Sequence, residues 1–147
     1  MAAHVEWNSS YELGIPAIDK QHQEFFRLAN ALFAAHDKPD GEQEARKTLE
    51  ELIDYACYHF HTEEELLAEH GYPHSELEAH RREHQGFTAR VRELRQQVYD
   101  GETILTELLD FTIRWLIAHI SRRDVEYADY LKQQTGHRAL HALRGSL

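Results

Sequence analysis

The stretch LEELIDYACYHFHTEEELL, residues 49 to 67, decides the fold, because its apolar residues keep a helical period while its polar ones form two rival pairs. His59 stands four before Glu63, and His61 four before Glu65, each at the spacing that puts two metal ligands on one helix face. A helix advances about 100° per residue, so the apolar residues alone set its inward direction. With Ala56 at zero, Leu49 and Leu67 fall at roughly +20°, Leu52 at roughly −40°, Phe60 at roughly +40° and Ile53 at roughly +60°. On that scale His59 lies at roughly −60° and Glu63 at roughly −20°, inside the stripe, whereas His61 and Glu65 lie at roughly +140° and 180°. The first pair is expected to point into a core. The second is expected to meet water, where an ion pair contributes under about 1 kcal/mol.

The same reading extends along the chain. Residues 1–18 have no helical period but carry Trp7, Tyr11, Leu13 and Ile15 with the breakers Gly14 and Pro16, which predicts an ordered N-terminal arm over a core. A first helix is expected over about 19–37, capped by Asp19 and ended by DKPDG at 37–41. The second spans about 42–70 and stops at Gly71, with Pro73 beyond. Ser75 and Glu78 have capping-box spacing and open a third at about 76–99. Thr103 is expected to cap a fourth at about 104–134, with Gly136 as terminator and a tail over 135–147. Each helix has one apolar stripe and each connection is short. The expectation is therefore an all-α, up-down-up-down antiparallel four-helix bundle with an N-terminal arm, forming one domain over residues 1–147.

A chain of 147 residues is large enough to bury a core without a disulfide or a metal, so metal spacing points to function rather than to folding need. The formal charge of −10 and the scattered Lys and Arg residues argue against nucleic acid and against an anionic membrane surface. No apolar run reaches membrane-spanning length, the N-terminus lacks an export signal, and the single cysteine, Cys57, excludes an internal disulfide. Cytoplasm is the expected compartment, and Cys57 reads as a structural thiol within a helix. The unusual quantity is histidine: twelve residues.

Helical phase places His80 and His84 on the stripe of Leu77, Phe87, Val91 and Val98, and His22 beside Phe26. His119 lies on the last helix's stripe, but Asp124, five residues on, falls near the edge of that stripe, as a single widened turn would cause. By height along an antiparallel bundle, His22, His59, Glu63, His80, His84, His119 and Asp124 all converge at one end, from four helices. Five imidazoles and two carboxylates exceed one tetrahedral site and suit two octahedral ions sharing carboxylates. The bland alternative is seven inward polar groups that only hydrogen-bond one another, which is common for one or two but costly to arrange for seven. His4, His36, His61, His70, His74, His137 and His141 read as surface or cap residues.

These residues resemble the hemerythrins, particularly the single-domain bacteriohemerythrins, across nearly the whole chain. The resemblance rests on VEWNSSYELGIPAIDKQH at 5–22, HFHTEE at 59–64, HRREH at 80–84 and WLIAHISRRDVEYADYL at 115–131. It implies a non-haem di-iron centre that binds O₂. His80, His84 and His119 would hold one iron and His22 and His59 the other. Glu63, Asp124 and an oxo or hydroxo group would bridge the two iron ions. It also implies an apolar O₂ pocket lined by Phe60, Trp115, Leu116 and Ile120, although such residues are as readily plain core. Leu67 departs from the methionine that many members carry. The expected function is oxygen storage, delivery or sensing rather than enzymatic turnover. The rivals are a di-iron oxidase or peroxidase, disfavoured because such bundles use Glu-rich sites, and an iron- or oxygen-sensing module with an unknown protein partner.

Overall fold

Proline at a helix start and glycine just past a helix end set two of the boundaries in this chain. The computed structural model describes the backbone of residues 6–101 and 105–142, and the side chains of 6–101 and 105–133. Helix α1 spans Pro16–Asp37, α2 Glu42–Glu69, α3 His74–Tyr99 and α4 Leu105–His119. A π-helical turn at Ile120–Asp124 then joins α4 to α5, Val125–Ala142, as one rod. A short 3₁₀ turn at Ser9–Tyr11 precedes them, and there is no strand among the described residues. Helix α1 packs on α2, α2 on α3 and α3 on α4, and α4 returns to α1. Four rods thus close into the antiparallel bundle that the apolar stripes require.

Several helix ends differ from the expectation. Helix α1 starts at Pro16, inside the predicted arm, with Ile15 at the N-cap and no side-chain cap, because proline's fixed φ suits the first helical position. Asp19 is not the cap. It sits in the first turn, where its carboxylate accepts from the Leu13 and Gly14 N–H groups at 2.8 and 3.2 Å and ties the arm down. Helix α3 starts at His74 after Pro73, without a side-chain cap, so Ser75 and Glu78 lie too far in for a capping box. The helix does not end at Gly136 but continues to Ala142, since one interior glycine costs only about 1 kcal/mol and good helix formers follow it. Thr103 and residues 143–147 lie outside the described residues. Gly71, with φ of +73° just beyond α2, does stop that helix as expected.

The core is apolar at both ends and polar between. One cluster includes Phe25, Leu32, Leu49, Phe87, Leu109 and Ile120. The other joins the arm residues Leu13 and Ile15 to Ile18, Leu67, Tyr127 and Leu131. The arm also reaches the first cluster, where the Trp7 and Tyr11 rings both lie 5.3 Å from Phe26. Along every rod the change from one cluster to the other occurs at a histidine or a carboxylate.

Candidate metal centre

The phase argument on α2 meets the structure directly. His59 and Glu63 are 1% and 0% exposed, whereas the His61 and Glu65 side chains are 74% and 61% exposed and pair only with each other, at 2.8 Å. Around the buried pair, His22 comes from α1, His80 and His84 from α3, His119 from the end of α4 and Asp124 from the end of the π-turn. None of the seven is more than 3% exposed. On a regular helix His119 and Asp124 would diverge by about 140°. The wider π-turn brings Asp124 Oδ1 to 3.0 Å from His119 Nε2, which is the widened turn that the drifting stripe implied.

Each carboxylate divides its two oxygens between two sets of imidazoles. Glu63 Oε1 lies 2.7 Å from His80 Nε2 and 3.2 Å from His84 Nε2, while Oε2 lies 3.2 Å from His59 Nε2 and 3.7 Å from His22 Nε2. Asp124 Oδ1 faces His119 and His80, at 3.0 and 3.3 Å, and Oδ2 faces His22 at 3.1 Å. Two groups with metal-ligand spacing result: His80, His84 and His119 with Glu63, and His22 and His59 with the same Glu63. The atoms are close but not aimed at one another. Both His22 ring nitrogens and both Asp124 oxygens lack a hydrogen-bond partner despite complete burial, and burying such groups unsatisfied costs about 1 to 3 kcal/mol each.

The charges follow from this crowding. Burial alone would lower the His22, His80 and His119 imidazoles, but Asp124 and Glu63 outweigh it. They push His22 up to about 9, His80 to about 10 and, with help from Glu83, His119 to about 8. Burial wins at His59, whose pKa falls. Burial opposes ionisation of Glu63 and Asp124 as well, yet the surrounding imidazoles hold both well below the usual carboxylate range.

A further ring of contacts orients the imidazoles. His59 Nδ1–H donates to Gln21 Oε1 at 2.6 Å, His84 Nδ1–H to Glu64 Oε2 at 2.8 Å and His119 Nδ1–H to Glu83 Oε2 at 3.0 Å. The buried Tyr127 hydroxyl donates to Glu63 Oε2 at 2.9 Å. Helical phase alone does not mark Gln21, Glu64 or Glu83, nor the hydroxyl of Tyr127, whose ring lies in the apolar cluster. Glu64 and Glu83 each sit at roughly 80° from their stripe's centre, an edge position beside a ligand-spaced residue, and that is the signal that would have found them. Of the four residues expected to line an apolar pocket, Phe60 stacks on His84 at 3.9 Å and Trp115 on His119 at 4.4 Å. Leu116 and Ile120 are buried in the adjoining cluster.

Fold and site together define a helical-bundle protein with a buried histidine-carboxylate metal-binding core. Residues 13–131 match the family described as the hemerythrin HHE cation binding domain, and the chain belongs to the hemerythrin family. It is 37% identical to the bacteriohemerythrin of Stenotrophomonas maltophilia, over 86% of this chain and 80% of that one. It is 34% identical to that of Clostridium acetobutylicum, over 84% of this chain and 98% of the other. Among solved structures, a wild-type hemerythrin crystal structure superposes with a TM-score of 0.77 at 27% identity, covering 86% of this chain and 97% of that one.

Proposed function

We propose that this chain binds O₂ reversibly at a non-haem di-iron centre, for oxygen storage, delivery or sensing, as a single domain in the cytoplasm. No helix among the described residues is long and apolar enough to cross a membrane. The observation that carries the reading is the shared orientation of Glu63 and Asp124, each with one oxygen toward His80, His84 or His119 and the other toward His22 or His59. That arrangement suits two ions joined by two carboxylates, and the unpartnered atoms of His22 and Asp124 gain partners if metal is bound. In this reading His80, His84 and His119 would hold one iron, His22 and His59 the other, with Glu63 and Asp124 bridging together with an oxo or hydroxo group.

Ferrous iron, when bound, would supply the electrons that reversible O₂ uptake needs. The protein does the rest. Two carboxylates offset half of the charge of two divalent ions, and neutral imidazoles add none. The Tyr127 hydroxyl fixes one Glu63 oxygen. Phe60, Trp115, Leu116 and Ile120 provide the apolar wall that keeps water and outside reductants from the site.

The test is to reduce the iron-loaded protein without air, admit O₂ and then remove it while following the visible spectrum. A band that rises with O₂ and vanishes on its removal is expected over repeated cycles. Irreversible oxidation in the first cycle, or turnover of an added substrate, overturns carriage in favour of an enzyme.

A further inference from the structure

We propose that Glu64 and Glu83 are positioning residues that make the two halves of the centre electronically unequal, biasing the three-imidazole half toward the ferric state. The inference rests on the di-iron reading above. On that half, His84 and His119 turn their Nε2 atoms inward, 3.1 Å from each other, and present their outward Nδ1–H groups to carboxylates. On the other half, His59 Nδ1–H meets only the neutral amide of Gln21, and His22 Nδ1 has no partner. A carboxylate drawing on the Nδ1 proton gives the ring imidazolate character and strengthens its inward nitrogen as a donor, which favours the higher oxidation state; a neutral amide does so far less.

The carboxylates are held for this role. Arg81 Nε reaches Glu64 Oε1 at 3.3 Å, and Arg123 Nε donates to Glu83 Oε1 at 2.7 Å. Each arginine is itself braced by a second acid, Glu78 at 2.7 Å and Glu126 at 3.4 Å. In both cases one carboxylate oxygen faces the arginine and the other the imidazole. The pairs step around the bundle, Glu64 of α2 to His84 of α3 and Glu83 of α3 to His119 of α4, with Phe60 and Trp115 stacked on the same two rings. Among the described residues no carboxylate backs the His22 and His59 rings in this way.

Glu64→Gln and Glu83→Gln keep an acceptor oxygen of similar shape, and Gln21→Glu installs a carboxylate on the opposite half. The iron-loaded chain and each variant are assayed for iron content and titrated under nitrogen with ferricyanide and dithionite to obtain the midpoint potential. Glu64→Gln and Glu83→Gln are expected to bind iron about tenfold more weakly and to raise the potential, by about 59 mV for each tenfold preferential loss of the one-electron oxidised state. Gln21→Glu is expected to lower it. Should Glu83→Gln fail to fold, Arg123→Gln, which loosens the carboxylate without removing it, is expected to shift the potential in the same direction by less. Two irons per chain with unchanged potentials, even with a lower melting temperature, overturns this inference alone. Fewer than two irons in the parent chain overturns the di-iron reading with it.

Discussion

At the scale of single residues, direction decides function more than identity does. His59 with Glu63 and His61 with Glu65 are the same residue types at the same spacing, yet one pair is inside and the other outside. This was legible because Leu49, Leu52, Ile53, Ala56, Phe60 and Leu67 carry a clear apolar phase, and a shift of two residues rotates a side chain by about 200°. His84→Ala is accordingly expected to bind less iron than the parent chain, whereas His61→Ala retains it; equal iron by colorimetric assay in the two variants contradicts the assignment. Tyr127 shows the limit of the same reading. Its ring belongs to the apolar stripe, but its hydroxyl serves Glu63, and periodicity cannot tell which end of an amphipathic side chain carries its role. Tyr127→Phe keeps the ring and leaves the buried Glu63 oxygen short of a donor. It is expected to lower unfolding stability of the metal-free protein by about 1 to 3 kcal/mol, measured by urea denaturation; no change would show that the hydroxyl is replaceable.

At the scale of elements, periodicity outperformed capping rules. The interiors of all four rods follow the apolar stripes, while Asp19, Ser75 and Gly136 each failed as boundary markers. The reason is physical: a stripe sums burial over many residues, whereas a cap contributes about 1 kcal/mol and yields to proline geometry or to good helix formers beyond it. The π-turn was legible in a drift of the same stripe, in which Asp124 falls about 80° from Leu116 while Tyr127 and Leu131 fall at about 20° and 60°. Removing one residue from Ile120–Asp124 tests this. Deletion of the exposed Ser121 lets the rod close into a regular helix in which Asp124 follows His119 by four positions, about 40° apart, so Asp124, Tyr127 and Leu131 keep their face. Circular dichroism and iron content are both expected to stay near those of the parent chain, whereas deleting Arg122 as well turns the downstream residues by about 100° and is expected to lower iron content sharply. Loss of iron in the single-deletion variant would show that the π-turn does more than keep the two parts of the stripe in phase.

At the scale of the whole molecule, the metal-free bundle carries an ionic layer between two apolar clusters, and its stability must depend on pH in a direction set by that layer. The pKa values of His22, His80 and His119 are raised in the folded state to about 9, 10 and 8. Groups raised above their unfolded value of about 6.5 stabilise the fold fully below that value and lose their contribution as pH rises through the folded one. Glu63 and Asp124 are depressed, so their contribution is present above about pH 4 and is lost as pH falls. The metal-free protein is therefore expected to be most stable between about pH 5 and 6.5 and to weaken steadily toward about pH 10. On the di-iron reading, iron is expected to reverse the alkaline limb, because its ligands must be neutral imidazoles: loading near neutral pH would displace the protons on His22, His80 and His119, and weak acid would work against binding instead. Urea midpoints of the metal-free chain are expected to fall between about pH 6 and 9.5 while those of the iron-loaded chain hold or rise, and a pH indicator should register proton release on loading. A metal-free midpoint that stays flat across that range would mean that His22, His80 and His119 are not paired as charges with the two carboxylates. The layer would then be held by neutral hydrogen bonds, and the gain in stability on loading iron would show no dependence on pH.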